Sequence, residues 1–141
     1  MMELTRGTRN ILLVEDDEDD AYIVGRGLRH LPFEYHLEII SDALSALEYL
    51  KRCKVDDQLP DLILLDLYMP GMDGFDFLEA IRKDDDFSQI RVVVLTGMDN
   101  DEALLRAYES GATTYLTKPQ NKFEFQSFIA SATEWWTETS I

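Results

Sequence analysis

Carboxylate, hydroxyl and amino groups stand at the ends of apolar runs along this chain, where they could act together. The residues in question are Glu15 and Asp16 after Ile11–Val14, Asp66 after Leu62–Leu65, Thr96 after Val92–Leu95, and Lys118 after Thr113–Thr117. An aspartate that follows four apolar residues is costly unless it is exposed or bound to something. Thr96 alone is equally compatible with a helix cap, and Lys118 alone is unremarkable.

Taken as a set, these side chains have the chemistry of a phosphoryl site. The adjacent carboxylates of Glu15 and Asp16 repel each other unless a cation or a network compensates them. Mg²⁺ suits such oxygen ligands because it takes one or two carboxylates and keeps several waters. Asp66 offers a carboxylate nucleophile, Thr96 a hydroxyl donor and Lys118 a fixed cation. Such a set can hold a phosphoryl group on an aspartate.

The elements that must position these residues alternate along the chain. Strands are predicted at Ile11–Val14, Leu37–Ile40, Leu62–Leu65, Val92–Leu95 and Thr113–Thr117. Helical spacings are found at Tyr22–Leu31 (ending at Pro32), Ala43–Leu50, Phe75–Arg82, Ala103–Tyr108 (closed by Gly111) and about 121–136. Five strands alternating with five helices indicate an open parallel α/β sheet. In such sheets the functional crevice lies at the carboxyl ends of the strands, where these polar residues stand.

Composition limits the function classes. The 141 residues suit one domain, and the formal net charge of −15 disfavours binding to nucleic acid or an anionic membrane surface. A single cysteine, Cys53, cannot form an intrachain disulfide, which fits a reducing cytoplasm. The first ten residues lack an apolar signal core, and no apolar run approaches a membrane span. We therefore expect a cytoplasmic, acidic, single-domain protein.

Five motifs, in order, resemble the receiver domain of two-component response regulators. They are ILLVED at Ile11–Asp16, Asp66 with MPGMDG at Met69–Gly74, Leu95–Gly97, Gly111-Ala112 and YLTKP at Tyr115–Pro119. The resemblance covers residues 9–136 and implies a flavodoxin-like (βα)5 fold of the chemotaxis-regulator type. Its doubly wound parallel sheet would have five strands in the order 2-1-3-4-5. YLTKP and the Trp135-Trp136 end also look like stand-alone receivers that serve phytochrome-type sensor kinases.

The resemblance assigns a role to each site residue. Asp66 would accept the phosphoryl group, and Thr96 and Lys118 would contact its oxygens. Mg²⁺ would be bound by the carboxylates of Asp16 and Asp66 and the main-chain carbonyl of Tyr68, with Glu15 contributing through water. Thr96 and Tyr115 would form the switch. Tyr68 occupies a position whose side chain influences dephosphorylation in this family, and here it is large and aromatic.

The resemblance also implies partners and output. A sensor histidine kinase or a histidine phosphotransfer protein would donate the phosphoryl group, and an unidentified downstream protein would read the result. The protein would act as a phosphoacceptor in a phosphorelay, not as an enzyme with a separate substrate, and would catalyse only its own transfer and slow autodephosphorylation. We expect the fourth helix, fifth strand and fifth helix to form the contact face, with Leu105 partly exposed and a homodimer as one outcome.

Three other functions were weighed against this sequence. A phosphohydrolase that forms an aspartyl-phosphate would need a second acid two residues after Asp66, where Tyr68 stands. A flavin or dinucleotide module is disfavoured because the only G-x-G, at Gly25–Gly27, lies inside a helical stretch. A receiver fold used only as an interaction module would not need all five site residues.

The two other acidic runs have structural interpretations. Asp17–Asp20 are assigned to capping the first helix, and Asp84–Asp86 to a solvated loop.

Overall fold

A computed structural model describes residues 8–69, 71–96, 101–117, 127 and 130. Within that part of the chain, strands and helices alternate as the sequence predicts. The strands are β1 (Arg9–Val14), β2 (Tyr35–Ile40), β3 (Leu62–Asp66), β4 (Arg91–Thr96) and β5 (Thr114–Thr117). The helices are α1 (Glu18–Leu28), α2 (Ala43–Val55), α3 (Gly74–Lys83) and α4 (Asp101–Ser110). The predicted fifth helix, about 121–136, lies outside the described residues except for helical positions 127 and 130.

The five strands form one parallel sheet in the order β2-β1-β3-β4-β5. This confirms the predicted flavodoxin-like α/β fold and its strand order. The register aligns the carboxyl ends of the central strands, because Val14 lies opposite Leu65 and Asp66 lies opposite Leu95. Residues that follow β1 and β3 are therefore brought to the same edge of the sheet, which we call the carboxyl edge.

Alternating side chains of the central strands build a hydrophobic cluster on each face of the sheet. On one face, Leu12, Ile63, Leu65, Val92 and Val94 pack with residues of α2 and α3. On the other face, Ile11, Leu13, Leu62, Leu64 and Val93 pack with residues of α1. Burial of each such side chain contributes about 1.5–3 kcal/mol. Strands covered on both faces are the reason that their sequences are almost continuously apolar.

Aspartates begin three of the helices. Asp17 accepts hydrogen bonds from the main-chain N–H groups of Asp19 and Asp20, and Asp42 and Asp73 cap α2 and α3 in the same way. Such caps typically contribute about 1 kcal/mol each. The predicted capping role of the acidic run after β1 is confirmed, because Glu18, Asp19 and Asp20 occupy the first turn of α1.

The opposite edge, at the amino ends of the strands, is held by one arginine. Arg82 of α3 donates from Nε to the Gly111 carbonyl at 2.8 Å, and from its guanidinium to those of Ser88 at 3.0 Å and Ile90 at 2.7 Å. Burial lowers the pKa of Arg82 from its ordinary value. We call this group the Arg82 clamp. It ties α3 to the starts of β4 and β5.

Gly111 ends α4 as predicted. Its φ of +112° lies in the region that favours glycine, and the N–H groups of Gly111 and Ala112 donate to the carbonyls of Tyr108 and Ala107. A Cβ at position 111 would lie 2.5 Å from Arg82 Cγ, so the missing side chain also makes room for the Arg82 clamp.

Three details of the sequence prediction are wrong. The first helix ends at Leu28 and not near Pro32, so Leu31 lies beyond it, and Tyr22 is exposed because Ala21, Val24 and Leu28 form the buried face. Tyr108 is also exposed and does not belong to the apolar face of α4. The predicted solvated loop at Asp84–Asp86 is confirmed, because Asp85 and Asp86 are exposed, and Asp86 forms a surface ion pair with Lys54 at the end of α2.

Candidate functional site

Three carboxylates meet at the carboxyl edge. One carboxylate oxygen each from Glu15, Asp16 and Asp66 lies within 4.8 Å of the others. Glu15 and Asp66 are buried, with 2% and 7% of their surfaces exposed, whereas Asp16 is exposed. We call these three residues the acidic cluster. The structure thus brings together the three side chains that the sequence marked as metal ligands.

The donor set of the acidic cluster fits a hard divalent cation. It consists only of carboxylate oxygens, which Mg²⁺ and related ions prefer. Carboxylates held this close repel one another unless positive charge compensates them. The exposed Asp16 leaves the cluster open on one side, which suits an ion that keeps several of its waters.

The main chain fixes the positions of the two buried acids. The N–H of Glu15 donates to the carbonyl of Ile40 at 3.0 Å, so β2 holds the residue after β1 in line with the sheet. The N–H of Asp17 lies 3.3 Å from Glu15 Oε2. On the next strand, the N–H of Tyr68 lies 3.3 Å from Asp66 Oδ1. Each carboxylate is therefore oriented by the turn that follows its own strand.

The turn after β3 brings the first turn of α3 against the strand end. Gly71 has a φ of +76°, which a glycine adopts without strain. A Cβ at Gly74 would lie 2.6 Å from Leu67 Cα and 2.7 Å from the carbonyl oxygen of Asp66. The Gly74 N–H donates to the Leu67 carbonyl at 2.9 Å. The motif MPGMDG thus provides a tight turn, a cap at Asp73 and a close approach of α3 to Asp66.

Thr96 and Lys118 can be placed only in part. Thr96 is the last residue of β4 and pairs with Thr117 of β5, one step beyond the pair formed by Asp66 and Leu95. Its main chain is therefore at the carboxyl edge, beside the acidic cluster. Its side chain and the whole of Lys118 lie outside the described part of the structure.

The proposed switch residue, Tyr115, is 38% exposed. Its ring meets that of Tyr108 edge to face, with centroids 6.3 Å apart and planes at 79°. Leu105, one turn before Tyr108, is 62% exposed, as the sequence predicted. Three large side chains of α4 and β5 therefore form an exposed apolar surface. Trp135 and Trp136, expected beside it, lie outside the described residues.

A second group of aromatic contacts lies next to Asp66. The sequence pattern did not predict these contacts. The ring of Tyr68, 63% exposed, meets the buried ring of Phe75 edge to face at 6.3 Å. The guanidinium carbon of Arg106 lies 3.9 Å from the centroid of Phe75. Arg106 belongs to α4, and no motif or local spacing connects it to Asp66, so only the packing of α4 on α3 reveals this contact.

The fold and the acidic cluster together define a class of protein. Residues 11–130 match the response regulator receiver domain family. The chain therefore belongs to the response regulator receiver domain family, and the resemblance seen in its motifs is confirmed.

Individual relatives agree with this class. The response regulator Rcp1 of Synechocystis sp. is 34% identical over 131 residues, 92% of this chain and 89% of that protein. The probable methanogenesis regulatory protein FilR2 of Methanothrix harundinacea is 35% identical over 127 residues, 89% of this chain and 82% of that protein.

Solved structures show the same fold. The Mn²⁺-bound form of Rcp1 has a TM-score of 0.78 at 34% identity and covers 93% of this chain and 96% of that one. The phosphorylated cyanobacterial phytochrome response regulator RcpA has a TM-score of 0.83 at 29% identity, over 94% of this chain and 96% of that one.

The helices of the described residues were also compared with the length and hydropathy of a membrane span, and none of them meets both requirements.

Proposed function

We propose that the protein accepts a phosphoryl group on Asp66 from a histidine of a partner and signals through protein–protein contacts that depend on this modification. The observation that carries the proposal is the burial of Asp66 at the end of β3, within 4.8 Å of Glu15 and Asp16 oxygens. The donor would be a sensor histidine kinase, including one of the phytochrome type, or a histidine phosphotransfer protein. The unit that does this would be a single receiver domain at residues 9–136.

The transfer exchanges one bond to phosphorus for another. A carboxylate oxygen of Asp66 forms a bond to phosphorus while the bond between phosphorus and the donor histidine nitrogen breaks, and its electron pair stays on the imidazole. The Tyr68 N–H, 3.3 Å from Asp66 Oδ1, orients the nucleophile. The hydroxyl of Thr96 and the ammonium of Lys118 would contact the phosphoryl oxygens. Catalysis of this kind is mostly positioning and charge stabilisation.

The metal of the site would be Mg²⁺. Asp16, Asp66 and the main-chain carbonyl of Tyr68 would hold it, with Glu15 contributing through water. When bound, it would supply positive charge against the phosphoryl oxygens as the group is transferred. The acidic cluster alone is a poor acceptor for a phosphoryl group because its negative charge repels the donor, so transfer should require the cation.

The output would pass through Thr96 and Tyr115. Thr96 would move toward the new phosphoryl oxygens, and Tyr115 would leave its exposed position beside Tyr108 for the space that Thr96 vacates. This biases a two-state element instead of building a new fold. The surface of α4, β5 and the following helix would change with this movement, and that surface would bind a downstream protein or a second copy of the chain.

The charge of −15 makes direct binding to nucleic acid or an anionic membrane unfavourable and fits a cytoplasmic protein.

The uptake of phosphate tests this proposal. The protein is incubated with acetyl phosphate in Mg²⁺ or in EDTA, and protein-bound acyl phosphate, which hydroxylamine releases, is followed over time. We expect uptake by the wild-type protein only with Mg²⁺, strongly slowed uptake in Asp16→Asn, and wild-type uptake in Asp19→Asn, which removes a charge from the first turn of α1. Equal uptake in EDTA would contradict the metal requirement, and no uptake from either acetyl phosphate or a histidine kinase would contradict the function.

A further inference from the structure

The side chains of Tyr68, Phe75 and Arg106 make a continuous stack from the turn after Asp66 to the surface of α4. The resemblance already implies that the side chain of Tyr68 influences dephosphorylation. We infer that Arg106 is a positioning residue that acts through the Phe75 ring and keeps Tyr68 where it limits the access of water to the phosphoryl group on Asp66. The inference rests on the proposed function, because it concerns the lifetime of the phosphorylated state.

The first step concerns Tyr68. Its N–H lies 3.3 Å from Asp66 Oδ1, so the main chain of Tyr68 is fixed next to the acceptor carboxylate. Its side chain is 63% exposed. The ring therefore stands at the rim of the site, where its position depends on a small number of contacts.

The second step concerns Phe75, which supplies one of those contacts. Phe75 follows Gly74, whose close approach to Leu67 Cα and to the Asp66 carbonyl places the first turn of α3 directly against the strand end. The Phe75 ring is 3% exposed and so has little freedom to move. Its edge-to-face contact with Tyr68, at 6.3 Å and 79°, holds the tyrosine ring beside the site.

The third step concerns Arg106. Its guanidinium lies 3.9 Å from the Phe75 centroid, within the range of a cation–π contact. Because Arg106 belongs to α4, this contact reaches the Phe75 ring from that helix. Arg106 thus connects α4 to the rim of the site without itself contacting Asp66 in the structure.

The reaction that the stack would slow is hydrolysis. A water oxygen forms a bond to phosphorus, the bond between phosphorus and the Asp66 carboxylate oxygen breaks, and the electron pair stays on the carboxylate. A water proton passes to the released phosphate. A ring held at the rim excludes water from part of the approach to phosphorus. Loosening the ring should therefore speed hydrolysis and leave transfer to Asp66 nearly unchanged.

A double-mutant cycle tests the inference. Wild type, Arg106→Ala, Arg106→Lys, Tyr68→Ala and the double variant are phosphorylated with acetyl phosphate, freed of donor, and followed for loss of protein-bound phosphate in Mg²⁺. We expect Arg106→Ala to lose phosphate about two- to fivefold faster, the factor that corresponds to the 0.5–1 kcal/mol of an exposed cation–π contact. Arg106→Lys, which keeps a cation over the ring, should stay near the wild-type rate.

The double variant separates this mechanism from simple loosening of α4. If Arg106 acts through the stack, Arg106→Ala should add nothing to the faster loss in Tyr68→Ala. The matched control is Arg52→Ala, which removes the same charge and a guanidinium 5.9 Å from the Tyr49 ring on α2, and it should leave the rate unchanged.

Two results would overturn the inference and not the proposed function. In the first, Arg106→Ala loses protein-bound phosphate at the wild-type rate. In the second, the effects of Arg106→Ala and Tyr68→Ala on that rate are independent in the double variant. A wild-type protein that never takes up phosphate would overturn both, and the uptake phase of the same experiment reports that case.

Discussion

At the carboxyl edge of the sheet the strands gather three carboxylates, whereas at the amino edge a single half-buried cation is held by three main-chain carbonyls. Both regions place charge in or near the core, but they do so in opposite ways. In the Arg82 clamp the partners are neutral dipoles of the same chain, at hydrogen-bond distance. In the acidic cluster three side chains that carry the same sign of charge lie within 4.8 Å of one another.

The difference separates a stabilising region from a functional one. A half-buried charge that donates several hydrogen bonds to main-chain carbonyls of its own chain strengthens the fold. Like charges held close together repel one another unless positive charge compensates them, so such a cluster gains from binding a cation. The comparison therefore predicts opposite signs for mutations at the two edges.

The largest effect is expected at the Arg82 clamp. Arg82→Met keeps the apolar stem but leaves the carbonyls of Gly111, Ser88 and Ile90 without their donor. We expect the free energy of unfolding to fall by about 3 kcal/mol, measured by urea denaturation. The control Lys83→Met removes the neighbouring exposed cation and should change stability by no more than about 0.5 kcal/mol. Equal effects of the two variants would show that charge alone, and not the clamp, matters.

The next effect is expected at Gly74, where the carboxyl edge depends on a close backbone approach. In Gly74→Ala the new Cβ meets main-chain atoms at 2.6 and 2.7 Å, and neither can move without shifting β3 or α3. We expect a loss of about 2 kcal/mol together with slower phosphoryl uptake.

The matched control for this variant is Gly25→Ala in α1, whose Cβ would meet only Leu37 Cδ2 at 3.8 Å. It should gain about 0.5–1 kcal/mol from helix propensity and keep wild-type uptake. A Gly74→Ala protein as stable as Gly25→Ala would contradict the packing described for the turn after β3.

The smallest effect has the opposite sign and concerns the acidic cluster. Asp66→Asn removes one of three like charges and keeps an oxygen that can accept from the Tyr68 N–H. We expect a gain of about 1 kcal/mol in the absence of divalent cations, measured by thermal and urea unfolding. Asp85→Asn, at an exposed site, should be neutral. Mg²⁺ should raise the melting temperature of wild type more than that of Asp66→Asn. A less stable Asp66→Asn protein would contradict the comparison between the two edges.

The sequence was sufficient for the strands and the acidic cluster, for physical reasons that are visible in particular residues, whereas the strand order came from the family resemblance. Leu62–Leu65 are apolar without interruption because β3 is covered on both faces, and Asp66 stands out against them. Register then brings Glu15 and Asp66 to one edge, which a parallel sheet makes predictable. Caps such as Asp17 and the turn at Gly111 are local, so their residue types suffice to identify them.

Contacts between helices could not be predicted in this way. The cation–π contact of Arg106 with Phe75, and the three carbonyls around Arg82, depend on how α3 and α4 pack and on where each loop returns to the sheet. Tyr22 fits a helical spacing as well as Val24 does, and only the direction of α1 over the sheet decides which side chain is buried. The positions of the Thr96 side chain and of Lys118 remain predictions of the resemblance.

The most direct test of the account is to locate the phosphoryl group. The protein is phosphorylated in Mg²⁺, the acyl phosphate is reduced with borohydride, and the peptides are mapped by mass spectrometry. We predict that the modified peptide contains residues 62–69 with the change at Asp66, and that the Asp66→Asn protein yields no modified peptide. A modified residue elsewhere in the wild-type protein, or undiminished acyl phosphate in Asp66→Asn, would contradict it.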